Sequence, residues 1–144
     1  MGKALDDTLA ALQGELAKRP EVLEAYLFGS TARGEQQPHS DIDVAVYVDR
    51  DAAPRPAFGY AADLTADVMR ALGTNRVDVV VLNDAPPLLY GRVLQDGIRI
   101  CSRDLVASTR REGRALSRYC DFVPQLAKIE AAHHARVMRG DFGR

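Results

Sequence analysis

Leu5, Leu9, Leu12 and Leu16 recur at intervals of three and four residues, the spacing that lines one face of a helix. Lys18-Arg19-Pro20 then supplies a stop. Val22 to Phe28 reads as a buried strand running directly into Gly29-Ser30. After a polar loop containing Pro38, Asp41 to Val48 alternates strictly, so Ile42, Val44, Val46 and Val48 face a core. Pro54 and Pro56 mark a loop. Ala61, Leu64, Val68 and Leu72 then form the apolar stripe of a helix ending near Gly73. Arg76 to Leu82 reads as a third strand. Pro86-Pro87 opens a helix through Leu88, Leu89, Val93 and Leu94, and Gly97 turns the chain into a short strand, Ile98 to Cys101. From Asp104 onward the pattern is helical: Leu105, Leu116, Tyr119, Val123, Leu126 and Ile129 share a face, and Pro124 predicts a kink or restart.

This succession predicts a mixed α/β fold, a small mixed sheet with helices packed on it. At 144 residues the chain has room for one core. The expected organisation is a body over residues 1–102 and a helical extension of the same domain over 103–144, acting as an arm or a cover. No apolar run approaches the roughly 20 residues of a bilayer span, and the N-terminus lacks an apolar segment with a cleavage site. The expectation is a cytoplasmic protein. Cys101 and Cys120 are the only cysteines and form no C-x-x-C, which favours reduced, partly buried thiols.

The net charge of −1 conceals an asymmetry. Residues 1–102 carry 10 Lys and Arg against 15 Asp and Glu, whereas residues 103–144 carry 9 against 5. A basic tail beside an acidic body suits a polyanionic ligand or an acidic partner, and equally a solvated helix face.

The chemistry concentrates in residues 28–44. Residues two apart on a strand point the same way, so Asp41 and Asp43 present two carboxylates on the face opposite the apolar one. Like charges so placed ionise together only when they share a cation, and hard oxygen ligands suit Mg²⁺ or Mn²⁺ better than zinc. Asp78, between Val77 and Val79 on the third strand, is placed to join them. Three carboxylates can hold two ions, which clamp an in-line phosphoryl displacement. Asp41 and Asp43 would bridge the ions, and Asp78 would activate the acceptor hydroxyl through the metal or as a general base. Gly29 lets backbone approach a phosphate, a helix starting there would aim N–H groups at it, and the Ser30 hydroxyl would add to them. Arg33 reaches a phosphate oxygen, or pairs with Glu35 or the acidic cluster.

These residues resemble the DNA polymerase β-like nucleotidyltransferase superfamily, whose signature is Gly-Ser after the first strand and Asp-x-Asp on the next. The short length, Gly29-Ser30-Thr31-Ala32-Arg33-Gly34-Glu35 and Ser40-Asp41-Ile42-Asp43 look like its minimal members. The run Val77 to Leu89, then Val93-Leu94-Gln95-Asp96-Gly97, then Tyr119-Cys120-Asp121-Phe122 look like the MntA antitoxin family. The likeness covers roughly residues 20–130. It implies a polymerase β-like palm with a helical extension. It also implies the antitoxin of a type VII toxin–antitoxin pair, which moves AMP from ATP onto a tyrosine hydroxyl of a HEPN-domain ribonuclease toxin (HepT) and forms a hetero-oligomer with it. On this likeness Gly29 and Ser30 bind the triphosphate, and Asp41, Asp43 and Asp78 ligate two Mg²⁺ (or Mn²⁺) ions. ATP enters through the likeness alone.

The chain offers neither room for a polymerase thumb nor a basic footprint for duplex DNA. Walker A and Gly-x-Gly-x-x-Gly runs are absent. His39 and His133-His134 read as capping or solvated residues, and Tyr26 and Tyr47 as core or base-stacking residues. Two alternatives stay open: an antitoxin acting by non-catalytic occlusion of its toxin, and transfer to a small-molecule hydroxyl.

Overall fold

The computed structural model describes residues 2–34 and 40–140. In chain order the elements are α1 (Gly2–Ala17), β1 (Val22–Phe28), the single turn α2 (Gly29–Ala32), β2 (Ile42–Val48), α3 (Tyr60–Leu72), β3 (Val77–Val81), a 3₁₀ turn (Leu82–Asp84), α4 (Pro87–Asp96), β4 (Ile98–Ser102) and α5 (Leu105–Met138). The strands form one sheet in the order β3-β2-β1-β4. β1 pairs antiparallel with β2 and β4, and β2 pairs parallel with β3. A parallel pair needs a crossover, and α3 supplies it. Gly73, at φ +67°, closes α3 in the left-handed conformation that glycine adopts without strain.

The alternation along β2 divides the sheet into two buried faces. Ile42, Val44, Val46 and Val48 join Leu12 and Leu16 of α1 and Leu64 and Val68 of α3 on the first face. Ala45 joins Tyr26, Tyr90, Val93 and Ala115 under α4 and α5 on the second. A register shift between Val22 and Glu24 puts two β1 residues against one of β2. The parity therefore changes, and Glu24 and Tyr26 turn to the second face while Val22 and Ala25 stay on the first.

Glu24 is fully buried and would be costly alone. Its carboxylate accepts from Ser108 Oγ (2.8 Å) and from Arg111 Nε (2.7 Å) and Nη2 (2.6 Å), three bonds that anchor α5 to the sheet. The Arg111 guanidinium also lies 4.9 Å from the Tyr47 ring centre. Asp104 caps α5 by accepting from Val106 N and Ala107 N. Arg103 donates to the carbonyls of Leu16, Arg19 and Val22, tying the entry of α5 to the end of α1. At Gly91 on α4 any Cβ would collide with the Tyr119 ring, so the α4–α5 approach depends on glycine there.

Three expectations are corrected. β3 covers only Val77–Val81, because Leu82 passes into the 3₁₀ turn. The helix continues through Pro124 without a restart. The covering face of α5 is Ser108, Ala115, Tyr119, Phe122 and Leu126, whereas Leu105, Leu116, Val123 and Ile129 are exposed. The apolar residues were counted toward one stripe, but the sheet end that α5 crosses selects small and polar partners for Glu24 instead. Beyond Leu126 nearly every residue up to Gly140 is exposed, so this end of α5 stands clear of the body. No described helix is long and apolar enough to cross a membrane.

Candidate active site

The sheet assembles the site where β1 ends and β2 begins. Phe28 is the cross-strand partner of Asp43, and Asp43 is in register with Asp78 of β3. Gly29, immediately after Phe28, therefore lies against the Asp43 side chain. Its φ of +77° is a left-handed conformation, and a Cβ built there would land on Asp43 Oδ2 and within 3.2 Å of Cγ. Glycine is required twice over, by the backbone and by the carboxylate.

Asp43 is partly buried and Asp78 exposed, and Asp41 is exposed just before β2 rather than within it. Burial first, then the charges of Asp78 and Asp41, push the Asp43 carboxyl above its ordinary pKa, and Arg33 pulls the other way. Three of the four predicted charged residues, Asp41, Asp78 and Arg33, thus act on the fourth, Asp43. Among the described residues no three acidic, histidine or cysteine side chains converge into a ready-made metal cage. What the strands provide is an in-register pair with Asp41 beside it. Parallel register at the ~4.8 Å strand spacing leaves a repulsive carboxylate pair that a shared divalent cation would relieve. The donor set, oxygen only and open to solvent, fits Mg²⁺ or Mn²⁺.

Ser30 follows in the α2 turn, and Thr31 beside it is buried with its hydroxyl unpartnered among the described residues. Arg33 closes that turn, its N–H donating to Gly29 O at 3.2 Å. Glu35 and His39 lie outside the described residues. Of the other candidates, His133 and His134 are exposed on α5. Tyr26 is core, its hydroxyl donating to Glu112. Cys101 is partly buried and Cys120 exposed.

A family model, polymerase beta nucleotidyltransferase, matches residues 11–105, the span that holds β1 to β4, the Gly29-Ser30 turn and the paired aspartates. The chain belongs to the polymerase beta nucleotidyltransferase family. Solved structures extend the likeness beyond the nucleotidyltransferase body into α5. A chain of a toxin–antitoxin complex with AMP-PNP has a TM-score of 0.66 at 24% identity, covering 90% of this chain and 98% of that one. A mutant of the MntA–HepT toxin–antitoxin pair gives 0.64 at 25% identity, with 90% and 96% covered. The complex of a tri-AMPylated HEPN toxin with its MNT antitoxin from Shewanella oneidensis gives 0.63 at 21% identity, with 93% and 98% covered. Among curated proteins none is a significant match.

Sequence reasoning missed Glu24, Tyr90 and the α5 arginines Arg111, Arg114 and Arg118. The sign of the three arginines was the positive excess of residues 103–144, which carries no position by itself, and Glu24 and Tyr90 had no such sign.

Proposed function

We propose that this nucleotidyltransferase is an antitoxin that transfers AMP from ATP to a tyrosine hydroxyl of a HEPN-domain ribonuclease toxin. The observation that carries the chemistry is Gly29, whose missing Cβ makes room for the Asp43 carboxylate opposite Asp78. The likeness to antitoxin chains along almost their whole length supports the partner.

In this reading Asp41, Asp43 and Asp78 hold Mg²⁺ or Mn²⁺, two ions in all. Bound there, the ions lower the pKa of the acceptor hydroxyl and neutralise the triphosphate. Backbone N–H groups of the Gly29-Ser30 turn and the Ser30 hydroxyl orient the triphosphate, and Arg33 offsets its charge. The acceptor oxygen bonds to the α-phosphorus, the bond between that phosphorus and the α,β-bridging oxygen breaks, and pyrophosphate leaves. The hydroxyl proton passes to Asp78 or solvent.

The test is the intact mass of a HEPN partner co-produced with wild type or with Asp41→Ala/Asp43→Ala. A gain of one or more AMP masses with wild type only is expected. An unchanged mass in a tight, neutralised complex would refute transfer. It would favour occlusion, a reading suggested by the projecting end of α5 with exposed Val123, Ile129 and Val137.

A further inference from the structure

The loop between β2 and α3 carries both a knob and a socket. Phe58 is 93% exposed, more than any other large apolar residue among those described. Hydrogen bonds fix the loop that holds it out: Ala53 N donates to Asp49 O at 3.0 Å, Gly59 N to Pro56 O at 3.1 Å and Asp63 N to Gly59 O at 3.2 Å. Gly59, at φ +91°, turns the chain into α3. The socket is an apolar cavity of ≈ 350 Å³ walled by Val48, Val81, Ala53, Pro54 and Tyr60. A cavity of about 150 Å³ already accepts benzene, so a phenyl ring fits here. The Tyr60 ring is held in place, since its hydroxyl donates to Glu21 at 2.7 Å and the Arg19 guanidinium lies 5.6 Å from its centre. A fixed aromatic wall favours an aromatic guest.

Two arginines, Arg50 and Arg55, also line the cavity. Arg50 is taken by Asp84. Arg55 and Asp51 are exposed, and the side chain of neither is in an ion pair or hydrogen bond with a described residue. These two opposite charges flank the Ala53-Pro54 wall of the socket. A surface that holds a knob, a socket and one uncompensated charge of each sign is complementary to itself, which is what a two-fold contact between identical chains requires.

We propose that this loop docks a second copy of the chain in a two-fold dimer, Phe58 of each copy entering the cavity of the other against Tyr60, and Asp51 of each meeting Arg55 of the other. The axis of such a contact runs midway between a knob and its own socket, past residues 54–56. Confined to one loop, the contact belongs to the small, reversible class. Val48 and Val81 are the last residues of β2 and β3, whereas Asp43 and Asp78 lie near the starts of these strands, about 16 Å away at strand rise and on the opposite face. The dimer therefore leaves both carboxylate sites open, and it is independent of the adenylyl-transfer reading.

The test is sedimentation velocity of the whole protein, free of any other chain, at concentrations rising to about 100 μM. Wild type is expected to pass from the 15.8 kDa chain to twice that mass. Phe58→Ala withdraws two rings from each dimer and is expected to weaken association at least about 100-fold, with an unchanged urea midpoint because the residue is exposed. Arg55→Asp and Asp51→Arg should each weaken association, and the two together should restore it, which a merely apolar contact would not do. Met138→Asp, at the exposed end of α5, should leave it unchanged. Wild type that stays monomeric, association untouched by Phe58→Ala, dissociation by Met138→Asp, or no recovery in the charge-reversed pair would overturn the proposal. So would a monomeric wild type whose binding to a HEPN partner is abolished by Phe58→Ala, which would give this surface to the toxin.

Discussion

Replacing Gly29 with alanine separates two demands that the site makes on one residue. Holding alanine at φ +77° costs about 1–2 kcal/mol. The new methyl also meets Asp43 Oδ2, and turning that carboxylate off its rotamer costs about 1 kcal/mol more. Gly29→Ala should therefore lower stability by roughly 2–3 kcal/mol. In an Asp43→Ala background the second part vanishes, because only the Asp43 Cβ remains nearby, at an ordinary 3.5 Å. Urea unfolding of the four proteins measures this coupling directly, and the cost of Gly29→Ala should be about 1 kcal/mol smaller without the carboxylate. Displacing Asp43 by about 1 Å should also reduce adenylyl transfer about 100-fold. Additive stabilities in the cycle would refute the placement of Asp43 against Gly29, and with it the geometry on which the proposed chemistry stands.

Arg111→Ala strands the fully buried Glu24 carboxylate and should cost about 3–5 kcal/mol in urea unfolding, with Glu24→Gln/Arg111→Met recovering most of it. Gly91→Ala drives a methyl into the Tyr119 ring and should cost about 1–3 kcal/mol, reduced when Tyr119 is also made alanine; an unaffected midpoint would argue against close α4–α5 packing. Burial pushes the Tyr90 hydroxyl up to about 12 from 10.0, and burial raises Tyr26 and Tyr60 further. The unfolded chain gives up these protons first, so stability is intact below about pH 10 and falls as pH rises through about 12. Urea midpoints across that range should drop steeply, and less so for Tyr90→Phe.

The elements were legible because their periods are local. Leu12 and Leu16 of α1, the alternation of Ile42 to Val48 and the Gly73 stop each depend on residues within one or two turns, and all fell where the pattern put them. The Gly-Ser turn was legible as a short local run, and Asp43 as an alternating position of its strand, whereas Asp41 lies just before β2, where strand alternation does not set its side-chain direction. That Asp78 joins Asp43 was decided only by the parallel register of β2 and β3, a pairing between residues 35 positions apart that periodicity does not encode. Tertiary structure likewise assigned the two faces of β1, because one inserted residue near Leu23 reverses the parity beyond it. It chose which side of α5 is covered, since Glu24 requires Ser108 and Arg111 above it and thereby turns Leu116, Val123 and Ile129 to solvent. Local sequence thus determined which segments are helix and strand and which residues carry the charge. Long-range pairing and the need to satisfy a buried carboxylate determined where those charges meet.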